Sequence, residues 1–225
     1  MSRTVIFDFD GTVALGHAPV DAYVREIVAA TADAGLAAAV SEGLGEFEEG
    51  LSNAIDAYDV VRTVASERAI DAEVLRAAYL RSRALLATAE VPVEAPEGIV
   101  PFLQRLAEAA DLALVTNAPS TRLAEALATL GIDQLLPTRH TEAAKPEGLT
   151  AIVADALLRG PVLSVGDIYQ NDLAPAAALG ADTALVGPLW RSFAARTTMA
   201  AATLPELYPL IEAWAGVTPD VPADR

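Results

Sequence analysis

The chain contains no cysteine, a single lysine and few aromatic residues, and each shortage removes a class of explanation. Without cysteine there is no disulfide framework, no thiolate metal site and no cysteine nucleophile. Aromatics make up 5% of the 225 residues against 53% hydrophobic residues overall, so the core is built mainly from Ala, Leu and Val. That mix suits helices packed around a sheet better than an all-β sandwich. Basic residues are outnumbered 15 to 31, and a net charge of −16 argues against nucleic acid or an anionic membrane surface as a partner. No apolar run approaches the roughly 18–20 residues that cross a bilayer. The first strand-like run opens close behind Met1, leaving no room for a charged-then-apolar leader, so the expectation is a cytoplasmic protein.

What the chain does contain is a regular alternation. Thr4-Val5-Ile6-Phe7, Leu112-Ala113-Leu114-Val115, Val162-Leu163-Ser164-Val165 and Thr183-Ala184-Leu185-Val186 are short apolar runs of the buried-strand type. Between them lie helical patterns. Leu123, Ala126, Leu127 and Leu130 repeat at helical spacing, introduced by Pro119 and closed by Gly131. Ile152, Val153, Ala156 and Leu157 do the same before Gly160, a short helix is expected over 172–179, and Thr203 with Glu206 forms a capping-box signature for a last helix. Residues 218–225 read as frayed. Strand and helix in alternation imply an α/β fold, a doubly wound, Rossmann-like parallel sheet. Residues 15–91 interrupt it with an Ala- and Glu-rich helical stretch that holds no convincing strand. The expected organisation is a core of residues 1–14 and 92–225 with a helical domain of 15–91 inserted after the first strand, on connections near 13–17 and 89–96 able to act as hinges.

Polar groups gather where these strands end. The first run stops at Asp8-Phe9-Asp10-Gly11-Thr12, with Asp8 and Asp10 leaving on one face and Phe7 and Phe9 on the other. Two carboxylates so close raise each other's pKa unless a cation lies between them, and a hard, oxygen-seeking ion such as Mg²⁺ fits. Gly11 lets the backbone turn and admits a close approach. The second run ends in Thr116-Asn117 and the third in Gly166-Asp167, with Asp172 beyond it. In open α/β sheets such groups collect beyond the carboxyl ends of the strands. Lys145, the one compact point charge among 14 arginines, precedes Pro146 between the second and third of these runs.

In this order and spacing, the four elements resemble the haloacid dehalogenase-like hydrolase superfamily, and within it the phosphatases with a helical cap after the first motif. The resemblance spans about residues 3–14 and 95–190. It implies that Asp8 is the nucleophile, that Asp10 is the general acid and base, and that Mg²⁺ is held by the Asp8 side chain, the Asp10 carbonyl and Asp167. It further implies that Asp172 orients a metal-bound water or Lys145, that Thr116, Asn117 and amides around Gly11 hold the phosphoryl oxygens, and that Lys145 neutralises Asp8 and the transferring group. Glu147-Gly148 stands where the family often has a second proline, a departure expected to affect only the start of the next helix. In the inserted domain His17, Tyr58 and Arg62 are weaker candidates for substrate contact, each better explained structurally, and His140 reads as a loop residue.

The leading expectation is a Mg²⁺-dependent phosphatase acting on a small phosphorylated metabolite, of the sugar phosphate, phosphoglycolate or nucleotide class, as monomer or homodimer. A phosphomutase on the same scaffold is disfavoured because the inserted domain has no lysine and only His17 as histidine. A dehalogenase is disfavoured because Asp10 is present, and a non-catalytic phosphate-binding relative because no motif is broken.

Overall fold

The computed structural model describes residues 2–217, so the frayed end expected over 218–225 lies outside the described residues. The chain separates into two compact units, one of Met1–Val13, Pro96–Asn117 and Ile132–Arg225, the other of Ala14–Ala95 and Ala118–Gly131.

The first unit is the sheet. Strands β1 (Arg3–Phe7), β2 (Ala110–Val115), β3 (Thr138–His140), β4 (Val162–Gly166), β5 (Asp182–Leu185) and β6 (Met199–Ala200) form one sheet in the order β3-β2-β1-β4-β5-β6. Every pairing is parallel. β1 is central, and Phe7 lies in register with Leu114 on one side and Val165 on the other. The end of β1 is thereby level with the ends of β2 and β4. Alternation along β1 serves both faces. Phe7 meets Phe102 edge-on, with ring centroids 6.4 Å apart, and Phe102 stacks on Tyr208 at 3.9 Å. Those two rings belong to α5 (Ile99–Ala107) and α10 (Leu204–Ala215). Ile6, on the opposite face, packs with Ala113, Val115, Leu149, Val153 and Ala176, which brings in α7 (Glu147–Leu157) and α8 (Ala174–Ala178). Helices on both faces bury the sheet, which explains strands read as continuous apolar runs.

The short strands β3 and β6 escape the sequence pattern. β3 is Thr-Arg-His, an edge strand with half-exposed or exposed residues, so no apolar period marks it. His140, expected in a loop, closes this strand. Three helix starts also differ. The segment expected as a helix over 172–179 begins as a π-type turn at Tyr169–Leu173 before α8. The helix α6 (Leu123–Thr129) starts beyond Pro119, after Arg122 at φ 55°. At Thr203 the hydroxyl donates to Glu206 Oε1 (2.8 Å) instead of capping a backbone amide.

The second unit is helical: α1 (Ala18–Thr31), α2 (Leu36–Glu48), α3 (Ala57–Glu67) and α4 (Ala72–Arg83). Val20, Val24, Ile27, Leu36, Val40, Val61 and Ala78 form its core, beside a triangle of Tyr23, Tyr58 and Tyr79 with centroids 5.8–6.0 Å apart. Asp56 and Asp71 cap α3 and α4 by accepting backbone N–H bonds. Arg83 is fully buried at the last turn of α4, where the helix dipole favours a cation. Among the described residues this unit has only isolated bridges, Leu15 with Glu94 and Leu86 with Val91, and the first ties its two connecting segments together. The segment 118–131, which follows β2, lies with these helices, and Arg122 Nε donates to the Leu86 carbonyl at 2.6 Å.

Phe102 is completely buried and links β1 to α10 through its two ring contacts. Phe102→Ala is expected to destabilise the fold by about 3–5 kcal/mol, read from urea unfolding; a cost under ~1 kcal/mol would contradict this packing.

Candidate active site

Asp8 is the first residue beyond β1, and its N–H donates to the Val165 carbonyl at 2.9 Å, extending the β1–β4 ladder by one step. The carboxylate is therefore fixed at the level where β2 and β4 end, and only 7% of the residue is exposed. Lys145 Nζ donates to Asp8 Oδ1 at 2.5 Å and to Asp172 Oδ1 at 2.6 Å, with all three side chains buried. The chain's only lysine thus lies between two carboxylates from elements far apart in sequence.

Asp172 is held on its other sides as well. Its Oδ2 accepts from the Ile168 N–H (3.0 Å), and its carbonyl accepts from the Ser164 hydroxyl (2.7 Å). Ser164 was not singled out by sequence, although a hydroxyl inside a fully buried strand demands a partner and was a readable signal. The contact with Lys145 is one of the two roles expected for Asp172.

Asp167, half-buried, follows β4 directly. One carboxylate oxygen from each of Asp8, Asp167 and Asp172 lies within 4.8 Å of the others. With all ionised, three carboxylates and one ammonium leave a charge of −2 in a space lined by hard oxygen donors. A divalent ion such as Mg²⁺ meets both the charge and the donor chemistry, so the residues fit the expected metal. Close packing here is made possible by glycine. A Cβ on Gly11, at φ 86°, would sit 2.3 Å from Asp167 Oδ2, and one on Gly166 would sit 2.4 Å from Asp172. Asp10 is half-buried two residues past Asp8.

The phosphoryl-holding group expected at Thr116 and Asn117 is brought to the same strand ends. The Thr116 backbone is engaged on both sides, its N–H donating to the His140 carbonyl (2.9 Å) and its carbonyl accepting from Ala143 (3.0 Å). The Thr116 side chain is buried. The Asn117 carboxamide bonds to the Lys145 backbone: Oδ1 accepts from the Lys145 N–H (2.7 Å), and Nδ2 donates to the Lys145 carbonyl (3.2 Å). Gly148 also belongs to this loop. A Cβ there would lie 1.7 Å from the Ala143 carbonyl oxygen, so the residue shapes the Lys145 loop as well as the start of α7. His17, Tyr58 and Arg62 lie in the helical unit. His17 is exposed ahead of α1, Tyr58 belongs to the tyrosine triangle, and Arg62 pairs with Asp59 at 3.2 Å.

Burial pushes the Asp8 carboxyl up to about 7, with Asp172 and Asp10 adding repulsion and Lys145 opposing them. For Lys145, burial alone would depress the ammonium, but Asp8 and Asp172 together raise it above its ordinary value. The ammonium stays charged at neutral pH while the surplus proton resides on the carboxylate side.

Comparison with known proteins gives a family and a fold. The family model of haloacid dehalogenase-like hydrolases matches residues 2–180. Among curated proteins no sequence match is found. YfnB of Bacillus subtilis, assigned as a hydrolase of this type and solved with magnesium bound, is similar in structure at 20% identity, TM-score 0.62, covering 94% of this chain and 99% of that one. A Haemophilus somnus protein assigned as a phosphoglycolate phosphatase is similar at 17% identity, TM-score 0.63, covering 92% and 96%. A Thermotoga maritima protein assigned as a β-phosphoglucomutase is similar at 16% identity, TM-score 0.55, covering 96% and 100%.

Two outcomes check this site. A metal ligand must be deprotonated, so in the metal-free protein Mg²⁺ competes with the proton on Asp8. Calorimetry in buffers of different ionisation enthalpy is expected to show proton release on Mg²⁺ binding below about pH 7, with affinity rising as pH increases to that value and levelling above it; a pH-independent affinity from 5 to 8 would refute the assignment. Gly11→Ala, which drives a methyl into Asp167 at a left-handed φ, is expected to weaken Mg²⁺ binding at least about tenfold.

Proposed function

The chain belongs to the haloacid dehalogenase-like hydrolase family, and on that premise we propose that it is a Mg²⁺-dependent phosphatase hydrolysing a small phosphomonoester through an aspartyl-phosphate. The observation that carries this reading is Asp8, a buried carboxylate aligned by one ammonium at the end of the central strand, with a second carboxyl, Asp10, two residues away.

An Asp8 oxygen attacks phosphorus and forms the acyl-phosphate bond as the ester P–O bond breaks, while Asp10 gives its proton to the leaving oxygen. In the second half Asp10 takes a proton from water, the water oxygen attacks the same phosphorus, and Asp8 leaves as a carboxylate with inorganic phosphate as product. Lys145 stabilises Asp8 as an anion before attack and the spread charge of the transferring group during it, which suits a point charge. The Thr116 hydroxyl and backbone amides near Gly11 and Asn117 hold the phosphoryl oxygens. Asp8, the Asp10 carbonyl and Asp167 would hold Mg²⁺, which supplies charge neutralisation on the phosphoryl oxygens when bound.

The substrate classes of the similar proteins, phosphoglycolate and sugar phosphates, are consistent with a small anionic metabolite. The helical unit is proposed to be the cap-type insertion that selects it, and the protein is proposed to act in the cytoplasm as a monomer or homodimer. The absence of any lysine from the inserted helices supports hydrolysis over phosphomutase chemistry.

Purified protein is expected to hydrolyse p-nitrophenyl phosphate only with Mg²⁺ present. Asp8→Asn should lower kcat by a factor of roughly 10³ or more, and Asp10→Asn by about 10²–10⁴. Undiminished turnover in Asp8→Asn would sink the mechanism.

A further inference from the structure

Lys145 lies in the segment 141–146 between β3 and α7, outside any regular element, and its ammonium hangs from a flexible four-carbon stem. Within this segment Glu142 and Ala144 have left-handed φ values of 49° and 51°. Something must fix the backbone if Nζ is to stay 2.5 Å from Asp8.

The fixing bonds form a series. The parallel β2–β3 ladder pairs Val115 with His140, continues through the Thr116 N–H to the His140 carbonyl, and then through the Ala143 N–H to the Thr116 carbonyl. At the next step it is a side chain, the Asn117 carboxamide, that bonds to the facing backbone. Its Oδ1 accepts from the Lys145 N–H and its Nδ2 donates to the Lys145 carbonyl, the two bonds a neighbouring peptide would supply. Asn117 is itself an exposed residue at the strand end, so its own burial does not account for this placement. The carboxamide is engaged along the main chain of one residue, and that residue is the only lysine of the chain.

We propose that Asn117 is a positioning residue: its carboxamide extends the β2–β3 ladder by one step, holds the Lys145 backbone, and so aims the ammonium at Asp8. This deepens the phosphatase reading and rests on it. It moves the Asn117 side chain from holding phosphoryl oxygens to acting through Lys145. A displacement of about 1 Å in such a group is worth about 10² in rate, which sets the scale of the effect.

The test is a double-mutant cycle with p-nitrophenyl phosphate and Mg²⁺, using Asn117→Ala in the wild-type and Lys145→Ala backgrounds. Asn117→Ala alone is expected to lower kcat by about 10–100-fold with KM within about threefold. In the Lys145→Ala background it should cost under about threefold, because its effect runs through the missing ammonium. Equal losses in both backgrounds, or a KM that rises while kcat holds, would overturn the proposal. Inorganic phosphate titrated into both Lys145→Ala proteins gives a readout that needs no turnover. Equal affinities support the assignment, and a weaker affinity with Asn117→Ala returns the side chain to the phosphoryl group. Hydrogen exchange at the Lys145 amide completes the set: it should accelerate in Asn117→Ala and stay protected in Asn117→Asp, which keeps the acceptor. Unchanged protection in Asn117→Ala refutes the clamp. A wild-type protein that hydrolyses no phosphomonoester overturns the phosphatase reading instead, and the exchange result still judges the clamp.

Discussion

One ammonium shared between two buried carboxylates is the constraint around which the sheet unit is arranged. Removing one partner of a buried charge pair costs about 3–5 kcal/mol, a large share of the roughly 5–15 kcal/mol that stabilises a whole domain. The contacts of Lys145 with Asp8 and Asp172 are therefore a condition on everything nearby. Asp8 must emerge where β2 and β4 also end, and the register of Phe7 with Leu114 and Val165 achieves that. Asp172 must turn back toward β4, and the Ser164 hydroxyl and the Ile168 N–H hold it there.

The charge balance links structure to chemistry. A site with a single cation for Asp8, Asp167 and Asp172 is under-neutralised, and the Asp8 carboxyl, pushed up to about 7 chiefly by burial, has repulsion from Asp172 and Asp10 added to that cost. The same deficit that costs stability creates demand for a divalent ion and leaves the carboxylate to be activated on its arrival. Crowding is the other half of the arrangement. Gly11 and Gly166 exist as glycine because the carboxylates of Asp167 and Asp172 occupy the space a Cβ would need.

Much of this was legible in the chain itself. The four principal strands, the helical insertion and the carboxylates at the strand ends follow from period and position, because a doubly wound sheet gathers polar groups at one edge. Lys145 stood out through its uniqueness. The strands β3 and β6 did not, since three polar residues, two of them exposed, and a two-residue pair carry no periodic signal. The π-type turn over Tyr169–Leu173 was equally silent, because i→i+4 and i→i+5 bonding use the same residue types. Gly148 read as a detail of a helix start, yet its lack of a Cβ is set by the Ala143 carbonyl in the preceding loop.

The sequence alone determined the chemical inventory: four carboxylates, one lysine, a threonine and an asparagine, each placed at the end of a strand or in the segment that follows one. Residue identity and alternation settle that much, because they decide which side chains leave the sheet and where. Which oxygen faces which nitrogen was decided only by the tertiary structure. Lys145 meets Asp8 across 137 positions of chain, a contact that depends on strand register and loop path rather than on any local propensity. The same holds for Asn117, whose residue type suggests a ligand for phosphate and whose place in the fold makes it a surrogate for a peptide group.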